Sequence, residues 1–182
     1  MQKSNSFVSA VMIVVSLAMA ACASTRTSKS AGEQVDDSVT TGRVKAALIA
    51  DPVTKAHQID VETFKGTVQL NGYVDSKEGK ARATTVAKNT TGVKSVQNNL
   101  SVRSEDRSGG TVVDDAAITT KVKTALAGDP RTKAHQVNVE THEGVVQLSG
   151  FVDNAEAKQT AEQLARNVDD VKSVDNELSV KK

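Results

Sequence analysis

Gly144-Val145-Val146-Gln147-Leu148-Ser149-Gly150-Phe151-Val152 reads as one strand. Val146, Leu148 and Val152 fall on one face with Gly150 between them, and Gln147 and Ser149 fall on the other. Upstream, Gln136-Val137-Asn138-Val139-Glu140-Thr141 alternates Val with polar residues as a second strand. Glu143-Gly144 supplies the hairpin turn, because glycine reaches φ > 0 without a steric penalty. Asp153-x-x-Glu156 follows as a capping-box pattern that opens a helix. The same block stands earlier as Gly66-Thr67-Val68-Gln69-Leu70-Asn71-Gly72-Tyr73-Val74, followed by Asp75-x-x-Glu78. The chain therefore contains two copies of one unit.

Val35 to Arg103 and Val113 to Lys181 align without a gap at a shift of roughly 78 residues, with about half the positions identical. Each unit opens with Asp-Asp, which suits a helix cap. In the second unit Ile118, Val122, Ala125 and Leu126 then form one helix face, and Asp129-Pro130 ends it. The first unit has Thr40 in place of the Ile and Gly42 in mid-helix, where Gly costs about 1 kcal/mol relative to Ala. After the hairpin, Ala157, Ala161, Leu164, Ala165 and Val168 mark a second helix, with Gly79, Ala83, Val86, Ala87 and Thr90 as thinner equivalents. A last strand runs from Val93 to Val102 and again from Val171 to Val180; Asn98 and Asn176 interrupt it, as at a bulge or a sheet edge.

The order is α-β-β-α-β, twice. The fold class is α+β: each unit is expected to form a three-stranded mixed sheet with two helices on one face. The expected boundaries are a signal segment over 1–21, a flexible tether over 23–34, the first unit over 35–103, a linker over 104–112 and the second unit over 113–182. Gly72 and Gly150, inside strands, are expected to let a helix pack closely on the sheet.

Phe7 to Ala21 is an apolar run behind Lys3, too short to span a bilayer comfortably and ending in small residues. Cys22 is the only cysteine, so no intramolecular disulfide forms. Met19-Ala20-Ala21-Cys22 resembles the bacterial lipobox, with Met19 where Leu is usual, and implies acylation of Cys22. Ala23 after the Cys then favours the outer membrane, whereas cleavage at Ala21-Cys22-Ala23 would release a soluble periplasmic protein.

The near-neutral net charge of +1 argues against nucleic acid as a partner. The units differ, the first at about +3 and the second at about −3. Lys77, Lys80 and Lys88 share a helix face in the first unit, a candidate contact for anionic phospholipid headgroups. His57, His135 and His142 lack metal-ligand spacing and read as solvated loop residues, also when set beside Asp51 or Asp129. Asp75, Glu78, Asp153 and Glu156 read as helix caps, and no catalytic, cofactor or metal residue is assigned.

The element order, the Gly-x-Val-x-Leu-x-Gly-x-Val strand at Gly66 and Gly144, the acidic helix start and the closing Val-x-x-Val-x-Asn-x-Leu-x-Val strand resemble the BON domain. The arrangement of two units behind an export signal is similar to the osmotically inducible periplasmic members of that family and to their lipid-anchored relatives. The resemblance implies an envelope location, no enzymatic activity and no cofactor. It also implies either chaperone-like binding of envelope proteins or unfolded clients, or binding of anionic phospholipid. In a lipid-binding member a Trp near the start of the second unit's first helix engages the bilayer; the matching residue here is Ala117.

Overall fold

The first helix starts where its backbone donors are best satisfied. The Ser30 hydroxyl accepts the Glu33 N–H at 3.2 Å, and the Glu33 carboxylate accepts the Ser30 N–H at 2.9 Å, a reciprocal cap on α1, Ala31–Ala50. The computed structural model describes residues 30–54, 58–103 and 109–182. The signal segment, Cys22 and most of the expected tether lie outside the described residues. Residues 31–34 of that tether belong to α1.

The Asp-Asp pair does not cap the helix. Asp37 is buried one and a half turns inside α1, and its carboxylate accepts the N–H groups of Lys65 and Gly66 at 2.7 and 2.8 Å. Asp115 does the same for Glu143 and Gly144 at 2.9 and 2.8 Å from α3, Gly109–Gly128. Each acid ties a helix to a hairpin tip whose two residues both have positive φ, 51° and 78° in the first unit, 53° and 79° in the second. The expected linker is likewise shorter, since α3 begins at Gly109.

In the first unit β1, Ile59–Phe64, runs antiparallel to β2, Thr67–Val74. After α2, Lys77–Lys88, β3 (Ser95–Asn98) and β4 (Ser101–Val102) return parallel to β2, which is the central strand. The second unit repeats the pattern. Its β5 (Asn138–His142) pairs antiparallel with β6 (Val145–Ser149). Beyond β7 (Phe151–Val152) and α4 (Ala155–Arg166), β8 (Ser173–Asn176) and β9 (Ser179–Val180) pair parallel with β6 and β7.

The second helix of each unit is capped one residue later than the acidic motif suggests. Ser76 accepts the Gly79 N–H at 3.0 Å and Asn154 the Ala157 N–H at 2.8 Å. Asp75 and Asp153 instead form ion pairs, with Arg103 and with Lys133 and Lys181. The closing strand does break at its Asn. The Asn98 amide donates to the Lys80 carbonyl of α2 at 2.8 Å while its oxygen accepts the Leu100 N–H at 3.1 Å; Asn176 repeats this with Lys158 and Leu178 at 3.1 and 3.3 Å.

Helices cover one face of each sheet. Val44 and Leu48 of α1 with Ala83 and Ala87 of α2 pack on Val68 and Leu70. Ile118, Val122 and Leu126 with Ala161 and Ala165 pack on Val146 and Leu148. Burial of each Val or Leu contributes about 1.5–3 kcal/mol. The opposite faces are not solvated either. Gln69, Asn71, Gln147 and Ser149 are all buried, because the two sheets pack on each other. The layers run helix, sheet, sheet, helix.

Candidate interaction site

The centre of the seam between the sheets is built from two glycines and two glutamines. Gly72 has φ 100° and Gly150 has φ 120°, a region that side-chain-bearing residues avoid. A Cβ on Gly72 would sit on the Gln58 carbonyl oxygen, and one on Gly150 on that of Gln136. The expected reason for these glycines, a helix packing on the sheet, is therefore replaced by a positive-φ kink in the central strand, beside a neighbouring backbone carbonyl and with the pairing register unchanged. At the kink one N–H is turned to the other unit. The Gly72 N–H donates to Gln147 Oε1 at 2.7 Å, and the Gly150 N–H donates to Gln69 Oε1 at 3.0 Å. The contact is reciprocal, as in an isologous dimer, although both halves belong to one chain.

The amide ends of the same glutamines are also satisfied across the seam. Gln147 Nε2 donates to the Asn99 carbonyl at 2.8 Å, and Gln69 Nε2 donates to Ser179 Oγ at 2.8 Å and the Glu177 carbonyl at 3.2 Å. A buried polar group costs free energy unless it is paired, and here all four partners are. The sequence reading put Gln147 and Ser149 on a polar face without recognising it as an interface. The available signal was that both copies carry Gln at the same place in the central strand.

Aromatic pairs flank this centre at equivalent positions. Phe64 stacks on Phe151 with ring centroids 5.3 Å apart, and His142 stacks on Tyr73 at 4.7 Å. His142 is thus 6 % exposed at the end of β5, not a solvated loop residue. Between β1 and β5 the Asn138 amide donates to Asp60 and, at 2.8 Å, to Glu62 Oε1. Burial, then the nearby Asp60 carboxylate, pushes the Glu140 carboxyl above its ordinary value, against the pull of Lys123.

The other residues singled out from the sequence lie apart from the seam. Lys77, Lys80 and Lys88 share α2, with Lys77 and Lys88 exposed and Lys80 half-buried. Gly66 and Gly144 form the hairpin tips beside Asp37 and Asp115. Asp51 and Asp129 pair with Arg82 at 2.7 Å and Arg131 at 2.6 Å; the Arg131 guanidinium holds the Asp129 carboxyl down to about 2. His135 is exposed in a short 3-10 turn, Ala134–Gln136, and His57 lies outside the described residues. Among the described residues no group of three or more His, Cys, Asp or Glu is placed to hold a metal.

Equivalent grooves open beside the first helix of each unit. That of the first, about 500 Å³, is lined by Val39, Arg43, Lys65 and Lys94 as well as Glu33 and Asp36. That of the second, about 620 Å³, contains Ala117 and Ile118 among Asp114, Glu143, Asp170 and Lys172. With Asp37 and Asp115 counted, the first groove is balanced, three acidic side chains against three basic, whereas the second is acidic, four against one.

The BON domain family model matches residues 36–104 and 114–182. The chain belongs to the BON domain family. Its two BON units are similar over 82% of this chain to the osmotically-inducible protein Y of Escherichia coli K12, at 42% identity and covering 75% of that protein. The outer membrane lipoprotein DolP of Haemophilus influenzae is 34% identical, over 80% of this chain and 75% of that protein. A 21 kDa hemolysin of Actinobacillus pleuropneumoniae is 35% identical over 80% of this chain and 75% of that protein.

Proposed function

We propose that this chain is a non-catalytic protein of the bacterial cell envelope, its two BON units joined into one body that binds envelope proteins or partly unfolded clients under osmotic or envelope stress. The observation that carries this reading is the seam. Each sheet is occupied by the other, which turns the outward sides of the helices and the grooves beside them toward partners. The relatives support the location, one being named for osmotic induction and another as an outer membrane lipoprotein. Acylation at Cys22 would hold the body at the outer membrane, since two or more chains give stable anchoring.

Mature protein with Cys22→Ser, added to a thermally unfolding client enzyme, is expected to suppress light scattering at near-stoichiometric ratios. No suppression at a tenfold excess would remove the client-binding reading. Anionic phospholipid binding is the second reading, favoured by Lys77 and Lys88 standing exposed on one helix of the more basic unit. Flotation of the Cys22→Ser protein with anionic but not neutral vesicles, lost on changing Lys77, Lys80 and Lys88 to Glu, would support it. Intact mass of membrane-extracted protein tests the anchor: added acyl chains on Cys22 are expected, and an unlipidated N-terminus at Ser24 would remove it.

A further inference from the structure

α1 has two apolar sides. Val44 and Leu48 face the core, but Val35, Val39, Gly42, Ala46 and Ile49 recur at i, i+4, i+7, i+11 and i+14 on the outward side. Val35 is 63 % exposed, Val39 44 %, Ile49 73 % and, just past the helix, Val53 39 %. The second BON unit shows what a merely solvated version looks like. The matching residues of α3 are Val113, Ala117, Thr120, Thr124 and Ala127, so that only the first stays a large apolar residue, and Arg131 takes the place of Val53.

Gly42 lies at the middle of this stripe and the fold gives no reason for it. It is helical, and a Cβ there would meet nothing within 4 Å. A mid-helix Gly with open space costs about 1 kcal/mol and returns nothing within the unit. With Ala46 one turn on, it makes a flat strip bounded by Val39 and Ile49, the shape that lets a second helix approach closely.

Charge selects among occupants. Arg43 and Lys45 follow Gly42 and precede Ala46, and at about 100° per residue they stand on opposite rims of the strip. Lys45 is half-exposed and paired at 3.2 Å with Asp60 of its own unit, so that Arg43 carries most of the selection. Asp36 lies two turns nearer the N-terminus on the Arg43 rim. A second copy packed on this strip, parallel or antiparallel, brings basic rim against basic rim at the point of closest approach. A bilayer gains little from Gly and Ala, and α1 has no aromatic residue to insert. An amphipathic helix with small apolar residues on its seam and carboxylates on both flanks fits on both counts.

We propose that the outward stripe of α1 is a docking surface for an acidic amphipathic helix of a partner protein, with Gly42 and Ala46 at the point of closest approach. This rests on the client-binding reading above and gives it an address. The affinity is modest, because a single helix face buries less than a standard interface.

The test uses the full mature chain with Cys22→Ser and a labelled synthetic helix carrying an Ala/Leu seam and Glu on both flanks. Fluorescence anisotropy is expected to show micromolar binding. Gly42→Leu should weaken it at least tenfold without lowering the denaturant midpoint, since the added side chain enters open space. Arg43→Glu should weaken it as well and shift preference to a Lys-flanked peptide, while Thr120→Leu should change nothing. Equal binding of the Gly42→Leu protein, or none by the parent, overturns the proposal. So does flotation with anionic vesicles that Ile49→Glu abolishes and Gly42→Leu does not, which would make the bilayer the occupant. A dimer in sedimentation equilibrium that Gly42→Leu dissolves would assign the strip to a second copy. If client protection survives Gly42→Leu undiminished, the docking site fails while the client-binding reading stands.

Discussion

Gln147 makes two hydrogen bonds across the seam with one carboxamide, accepting from the Gly72 N–H and donating to the Asn99 carbonyl. Truncation leaves a buried donor and a buried acceptor, at about 1–3 kcal/mol each. Gln147→Ala is therefore expected to lower unfolding free energy by about 2–4 kcal/mol in urea titration; a loss under about 0.5 kcal/mol would show that water replaces the side chain. Glu140 gives the pH dependence of the same seam. Its folded carboxyl titrates above the ordinary 4.5, so its contribution is present below that value and is lost as pH rises through the elevated one. At neutral pH the buried charge is a net cost. Glu140→Gln should raise the midpoint at pH 7 and leave it little changed at pH 4, and a lowered midpoint at pH 7 would mean that Lys123 outweighs burial and Asp60.

At the scale of elements, two glycines of the first unit have opposite consequences. Gly42→Ala should stabilise by about 1 kcal/mol, since the position is helical and open. Gly72→Ala should destabilise by several times that, because φ is 100° and the Gln58 carbonyl occupies the Cβ position. Denaturant midpoints moving in the same direction would contradict the assignment. The contrast also shows what the sequence could tell. Strands, helices and their order were legible because Val146, Leu148 and Val152 alternate and Ile118, Val122 and Leu126 recur at helical spacing. The use of Asp37, Gly72 and Gln147 was not. An Asp in a helix start looks the same whether it caps its own turn or a hairpin 28 residues away. A polar residue facing water and one facing a second sheet leave the same period-2 pattern. Local windows carry propensity, whereas these residues are explained by contacts far along the chain.

For the whole molecule, the two cores are separate but unequal. Ile118 and Ala157 are buried where the first unit has Thr40 and Gly79. Amide exchange in the intact chain is expected to be faster in the core strands of the first unit than in the second by up to tenfold, about 1 kcal/mol of local opening. Equal rates would mean that the seam makes both units open together. That seam also has a consequence in time. Synthesis runs from the N-terminus, so the first unit emerges with Phe64, Tyr73 and the Gln69 carboxamide uncovered, and Phe151, His142 and Gly150 arrive only near the end of the chain. Until then the nascent half exposes a wet-side surface designed to be dry, and a ribosome stalled within the second unit would release a product with an adhesive flat side and no lid to close it.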